Sequence, residues 1–136
     1  MTRQIFINLP VTDLDRSKSF YEAVGAPINL QFSDETGACM VMSDSIHIML
    51  LTHDKWRQFS SKPISNAHES AQVMLALSAE TKEEVSEMVK TAVSAGGKAD
   101  PTPPQDYPFM FGRSFEDPDG HIWEIFWMDM TAIPAN

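Results

Sequence analysis

Glu124 is the acidic residue best placed for proton chemistry. It lies in the run 121–128, where Ile122, Phe126 and Met128 alternate with other residues, so its carboxylate is expected on a partly buried sheet face. Partial desolvation suits a carboxylate to general-base work, such as removing a proton next to a carbonyl. The plainer alternative is a carboxylate at a cavity mouth, hydrogen-bonded to a backbone or Arg group. Arg113, in the preceding apolar run, is a candidate counter-ion or anchor for a substrate carboxylate, against the ordinary alternative of a solvated strand residue. His47 alternates with Met49 and Leu51 and is a candidate acid, base or hydrogen-bond donor, unless its neighbours already satisfy it. Tyr107 ends the stretch Pro101-Thr102-Pro103-Pro104-Gln105-Asp106-Tyr107-Pro108, a stiff loop that makes it a candidate lid or donor.

Other reactive side chains carry less. Cys39 has no His or Lys beside it to lower its pKa and is expected to be buried packing. His53, His68 and His121 form no ligand pair at short spacing. Glu116, Asp117 and Asp119 resemble the start of a calcium loop, but no regular series of oxygen donors follows, and Asp117 and Asp119 instead form a turn with Pro118 and Gly120. Nine methionines, among them Met49 and Met74, and aromatics including Phe111 favour a lining that adapts to flat apolar ligands.

The elements that must position these groups follow from turns, caps and periodicity. Residues 4–11 form a strand, with Ile5 and Ile7 on one face and Phe6 and Asn8 on the other. A helix capped by Thr12 or Asp13 runs to a left-handed stop at Gly25, and strands are expected at 27–32, 37–42 and 45–52. The pattern then weakens over 53–70. A fifth strand is expected at 71–78, and Thr81-Lys82-Glu83-Glu84 is a capping box opening a helix that closes at Gly96-Gly97. Strands at 98–102, 109–116 and 121–128 complete the chain. The expectation is an α+β fold of two tandem βαβββ modules, 4–52 and 71–128, joined by a connecting segment at 53–70, with each sheet curving against its helix and the two sheets, or the sheets of two chains, facing each other over a cavity.

Composition excludes several partners. Ten Lys+Arg against nineteen Asp+Glu in 136 residues give a net charge of −9, which opposes nucleic acid and anionic membrane surfaces. One cysteine excludes an internal disulfide and a Cys-rich zinc site, and no apolar run reaches the roughly 20 residues of a membrane span. The start Met1-Thr2-Arg3-Gln4 lacks the apolar segment of a secretory signal, giving a cytoplasmic expectation.

Three segments resemble a known family: 9–21 (LPVTDLDRSKSFY) with Gly25, the helix end Ala95-Gly96-Gly97, and 115–124 (FEDPDGHIWE). Together they are similar to the vicinal oxygen chelate superfamily, which includes glyoxalase I, fosfomycin resistance proteins, bleomycin resistance proteins and extradiol dioxygenases. The resemblance implies the glyoxalase/bleomycin resistance/dioxygenase-like fold and a homodimer that completes its sites across a two-fold axis. It also implies metal ligands on the first and last strand of each module, at Phe6, Met49, Met74 and Glu124. Only Glu124 is an oxygen donor; Phe has no donor and a thioether prefers soft ions. A register shift by two would instead gather Asn8, His47 and Glu124, but Asn is a weak ligand. A divalent metal is therefore disfavoured and no cofactor is expected.

Two functional readings follow. In the first, the chain binds a small, partly aromatic organic molecule in an apolar cavity lined by Phe6, Asn8, His47, Met49, Met74, Tyr107, Phe111 and Arg113, with Glu124 as a polar contact. In the second, it is a lyase- or isomerase-type enzyme whose general base is Glu124, with or without a metal held by the shifted ligands.

Overall fold

Helix starts in this chain are set by side chains that accept the first free backbone N–H groups. The computed structural model describes residues 2–132 and separates into two units, Met1–Asn66 and Ala67–Asn136. In the first, β1 (Ile5–Val11) leads to α1 (Leu14–Ala23), β2 (Ile28–Asn29), β3 (Gly37–Val41), β4 (Ile46–Thr52) and a short α2 (His53–Arg57). Asp13 caps α1 by accepting the Arg16 N–H at 3.1 Å. Gly25, at φ +105°, lets the Ala26 N–H return to the Tyr21 carbonyl and stops the helix. The sheet runs β1-β4-β3-β2, with β1 parallel to β4 and the other pairs antiparallel. Leu9, Val11, Ala38, Met40, Ile48 and Leu50 are buried on the face that receives Phe20 and Tyr21 of α1.

The second unit repeats the plan with β5 (Met74–Ala79), α3 (Lys82–Ser94), β6 (Lys98–Ala99), β7 (Gln105–Tyr107), β8 (Met110–Glu116) and β9 (Ile122–Met128). Its sheet runs β5-β9-β8-β6, β5 is parallel to β9, and β7 pairs with β8. Thr81 accepts the Glu84 N–H at 3.1 Å, while the Glu84 carboxylate accepts the N–H of Glu80, one residue before the cap, at 2.8 Å. Val85, Val89 and Ala92 of α3 are buried with Phe115, Trp123 and Ile125 of the sheet. The fold is thus α+β with two sheets, β-α-β-β-β in the first unit and the same order with the short β7 added after β6 in the second.

Several elements depart from the sequence expectation. Beyond Asn29 the chain turns into a 3-10 segment, Leu30–Phe32, because the Asn29 side chain accepts the Gln31 N–H and bends it out of the strand. Helix α2 occupies the start of the expected connecting segment, capped by Thr52. The strand expected from 71 begins at Met74, the one expected to reach 102 stops at Ala99, and β7 lies within the expected stiff loop. The strand ends at Ala99 because Asp100 adopts a left-handed φ of +54°.

The Asp117-Pro118-Asp119-Gly120 turn is tightly built. Asp117 Oδ1 accepts the N–H groups of Asp119 at 3.0 Å and His121 at 2.8 Å. Gly120 sits at φ +91°, and a Cβ there would lie 2.7 Å from the His68 nitrogen, so only glycine lets residues 67–68 pass. Among the described residues no helix is long and apolar enough to cross a membrane.

Candidate functional site

The tight turn fixes the β8–β9 register with Glu116 opposite Ile122, and the register sorts the side chains. Ser114 opposes Glu124, Gly112 opposes Phe126 and Met110 opposes Met128, so these residues share one face. Met74 and Ala76 join it from β5, and Gln105 and Tyr107 join it from β7. α3 covers the other face, leaving this one over a hollow of about 660 Å³ bounded by Met74, Ala76, Tyr107, Met110, Glu124, Phe126 and Met128. The Glu124 carboxylate is partly buried and has no hydrogen-bond or ion-pair partner among the described residues. Tyr107 is half exposed and stacks on Phe109 at 5.8 Å between ring centres. A carboxylate in an apolar surround can accept a donor from a ligand or take up a proton from one.

One wall of the hollow is an arm, residues 100–107, pinned by polar contacts that the sequence expectation did not include. The Asp100 N–H donates to the Ser114 carbonyl at 2.8 Å. Arg113 donates through Nε at 3.2 Å and Nη2 at 2.7 Å to the two carboxylate oxygens of Asp100. That hydrogen-bonded pair holds the Asp100 carboxyl below the usual carboxylate range and the Arg113 guanidinium above its ordinary value. The fully buried Ser114 hydroxyl accepts the Thr102 N–H at 3.1 Å and the Thr102 hydroxyl at 2.8 Å, and donates to the Thr102 carbonyl. Thr102, Pro103, Pro104 and Gln105 thereby line the hollow.

Arg113 reaches only the rim of the hollow, and Phe111 is not among the residues that bound it. They pair with Ile125 and Trp127, so strand alternation puts their side chains on the face opposite Glu124. Arg113 touches the rim of the hollow, but its guanidinium is engaged by Asp100. The opposing Trp127 ring lies under the Lys82 ammonium of α3, 5.2 Å away. The missed signal was in the sequence: a four-residue Asp-Pro-Asp-Gly turn sets the hairpin register, which selects Met110, Gly112 and Ser114 as partners of the Glu124 face.

In the first unit Phe6, Asn8, His47 and Met49 do share an open face, Phe6 opposing His47 and Asn8 opposing Met49. Phe6 and His47 stack with ring centres 4.5 Å apart and planes 10° from parallel. Both imidazole nitrogens are buried and have no hydrogen-bond partner among the described residues. Cys39 is buried in β3, and burial pushes its thiol pKa up, away from nucleophilic character.

The donor chemistry does not suit the divalent metal that the fold family implies. Phe6 and Met74 hold equivalent places before the caps Asp13 and Thr81, and across the registers Met49 corresponds to Glu124. The first unit therefore offers a phenyl ring and a thioether, and the second a thioether and one carboxylate. Nor is His47 free to substitute while Phe6 lies against it. Within either unit, no three His, Cys, Asp or Glu side chains of the described residues are grouped to hold a metal ion.

Comparison with known proteins agrees with this architecture. No curated protein sequence matches the chain. Among solved structures, a hypothetical protein from S. aureus is 27% identical, with a TM-score of 0.77 over 93% of this chain and 94% of that one. A glyoxalase-related enzyme from Fulvimarina pelagi shares 23% identity and a TM-score of 0.76, covering 93% of this chain and 88% of the other. The fosfomycin resistance protein FosX from Listeria monocytogenes shares the fold at 17% identity, TM-score 0.69, over 96% of this chain and 97% of that one. A family profile matches residues 3–125, and the chain belongs to the Glyoxalase/Bleomycin resistance protein/Dioxygenase superfamily.

Proposed function

We propose that this chain binds a small, partly aromatic organic molecule over the open face of its second sheet, without the divalent metal that the family resemblance implies. The observation that carries this reading is the hollow of about 660 Å³ in which an unpartnered Glu124 carboxylate lies among Met74, Met110, Phe126 and Met128. Flexible thioethers and a phenyl ring accommodate a flat apolar body, and the carboxylate selects a ligand with an O–H, N–H or cationic group beside it. Tyr107 and Gln105, on the arm, supply further polar contacts at the rim. The chain is proposed to act in the cytoplasm as a homodimer, which sedimentation of the purified protein would check.

A second reading makes Glu124 a general base that removes a proton next to a ligand carbonyl, in a lyase- or isomerase-type reaction. Its support is that neither carboxylate oxygen has a partner among the described residues, so neither is committed as an acceptor there. A thermal-shift screen of aromatic and antibiotic-like compounds tests binding, because a native-state ligand raises the melting temperature by mass action. Glu124→Gln separates the readings: it abolishes turnover in the second and changes only affinity in the first. Metal analysis of the purified protein tests the metal-free part of the proposal, and a stoichiometric transition metal lost on Glu124→Gln would refute it.

A further inference from the structure

Three of the nine methionines, Met74, Met110 and Met128, bound the Glu124 hollow. Met74, on β5 at the edge of its sheet, is 56% exposed, while Met110 and Met128 oppose each other across β8 and β9 and are half-buried. Gly112 has no side chain, and the terminal methyl of Met110 lies 3.7 Å from where a Cβ of Gly112 would stand, so this thioether lies over bare backbone in the hollow. Cys39, the one thiol, is buried in β3 and does not compete for an oxidant. We infer that these three thioethers make the hollow a site of oxidative modification, in which hydrogen peroxide converts them to sulfoxides and the sulfoxides switch off binding of apolar ligands. The consequence rests on the ligand-binding reading above; the chemistry does not.

The step balances with peroxide as the oxidant. A sulfur lone pair bonds to one peroxide oxygen and the O–O bond breaks. The departing hydroxide takes up the proton that the sulfur-bound oxygen sheds, leaving a sulfoxide and water; sulfur gives up an electron pair and the peroxide accepts it. A thioether is a weak acceptor that suits an apolar neighbour, whereas a sulfoxide oxygen is a strong acceptor with no donor of its own. The ionised Glu124 is also an acceptor only, and the Arg113 guanidinium at the rim is engaged by Asp100. Tyr107 and Gln105 at the rim offer fewer donors than three sulfoxides and a carboxylate would need. Sulfoxides here therefore draw in water, and an apolar ligand that displaced it would leave them without hydrogen bonds. Enzymatic reduction restores the thioethers, which makes the change reversible.

The probe is N-phenyl-1-naphthylamine, an uncharged aromatic amine that fluoresces more strongly in apolar surroundings. It is titrated into the protein before and after peroxide treatment, with oxidation of each methionine followed by peptide mass mapping. Met130, 73% exposed and outside the hollow, reports the dose, and the fully buried Met40 reports whether the core stays closed. Met74, Met110 and Met128 should oxidise at least about fivefold faster than Met40, probe affinity should fall about tenfold, and methionine sulfoxide reductases should restore it. A protein carrying Met74→Leu, Met110→Leu and Met128→Leu, changes that conserve volume, should alter its own probe affinity by less than about twofold on the same treatment, with Met130 oxidised as before. Affinity that survives oxidation of the three methionines, or that falls equally in the leucine protein, overturns this inference alone. An untreated protein that does not bind the probe overturns it together with the ligand-binding reading.

Discussion

The two units share one wiring plan and differ most on the faces their helices leave open. In each, the first strand runs parallel to the last, a capped helix packs on the sheet, and a left-handed glycine ends that helix. The covered faces are chemically alike: Leu9, Ile48, Leu50, Phe20 and Tyr21 in one unit, Phe115, Trp123, Ile125, Val85 and Val89 in the other. On the open faces, Asn8 faces Met49 in the first unit, whereas Ala76 faces Glu124 in the second; Phe6 stacks on His47, whereas Met74 opposes Ile122. The comparison teaches that close packing constrains only one side of such a sheet. A buried side chain must match its neighbours in volume, while a side chain over a hollow is free to change chemistry.

Breaking the shared plan should have the largest effect. Gly120→Ala puts a methyl group 2.7 Å from the His68 backbone nitrogen at φ +91°, and is expected to lower stability by about 3 kcal/mol or more, read by urea denaturation. Gly25→Ala meets the same backbone penalty at φ +105° but no atom within 4 Å, so its cost should stay near 1–2 kcal/mol. Equal losses for the two variants would show that the close pass of residues 67–68 is not what demands glycine.

The polar difference between the open faces is tested next. Once a ligand is found for the second hollow, Glu124→Gln should weaken it by roughly tenfold or more by calorimetry, the effect of losing a charge-assisted hydrogen bond. Met49→Gln, at the corresponding place in the first unit, should leave that affinity within about twofold.

Acid should loosen the arm of the second unit. Asp100 has its pKa lowered in the folded state, chiefly by the Arg113 hydrogen bond. A lowered folded pKa gives stability that is present above the unfolded value of about 3.9 and lost as pH falls through the folded value. Wild-type stability should therefore drop below about pH 4 more steeply than that of Asp100→Asn, measured by thermal melts across that range.

The smallest expected change in stability is that of Phe6→Ala. It removes a stacked pair worth about 0.5–1.5 kcal/mol but opens both His47 nitrogens to water, so the two effects largely offset. Diethyl pyrocarbonate should modify His47 slowly in the native protein and many-fold faster in Phe6→Ala, followed by mass spectrometry. Equal rates would mean that Phe6 does not cover the imidazole.

Much of the fold was legible because its signals are local. Asp13, Thr81 with Glu84, and Asp117 to Gly120 act on backbone groups a few residues away, so their types and spacing state where helices start and where the last hairpin turns. Less of the candidate site was legible. Glu124 with Met74 and Tyr107 on one face follows from alternation and turn position, but naming Phe111 and Arg113 as ligand-binding candidates did not carry the hairpin register across from the turn, which puts them on the other face. α2 and β7 were missed because each is too short to repeat a periodic pattern, and contacts with β4 and β8 hold them in place.

Sequence alone determined the order of the longer elements, the caps of the two long helices, the last turn and the class of side chain at each position, since these depend on neighbours along the chain. Tertiary structure decided that Asp100 turns left-handed to meet Arg113, that Ser114 is sealed beneath Thr102, and that Phe6 closes over His47. Those pairings join residues distant in sequence, and their geometry is set by the register and twist of the sheets that bring them together.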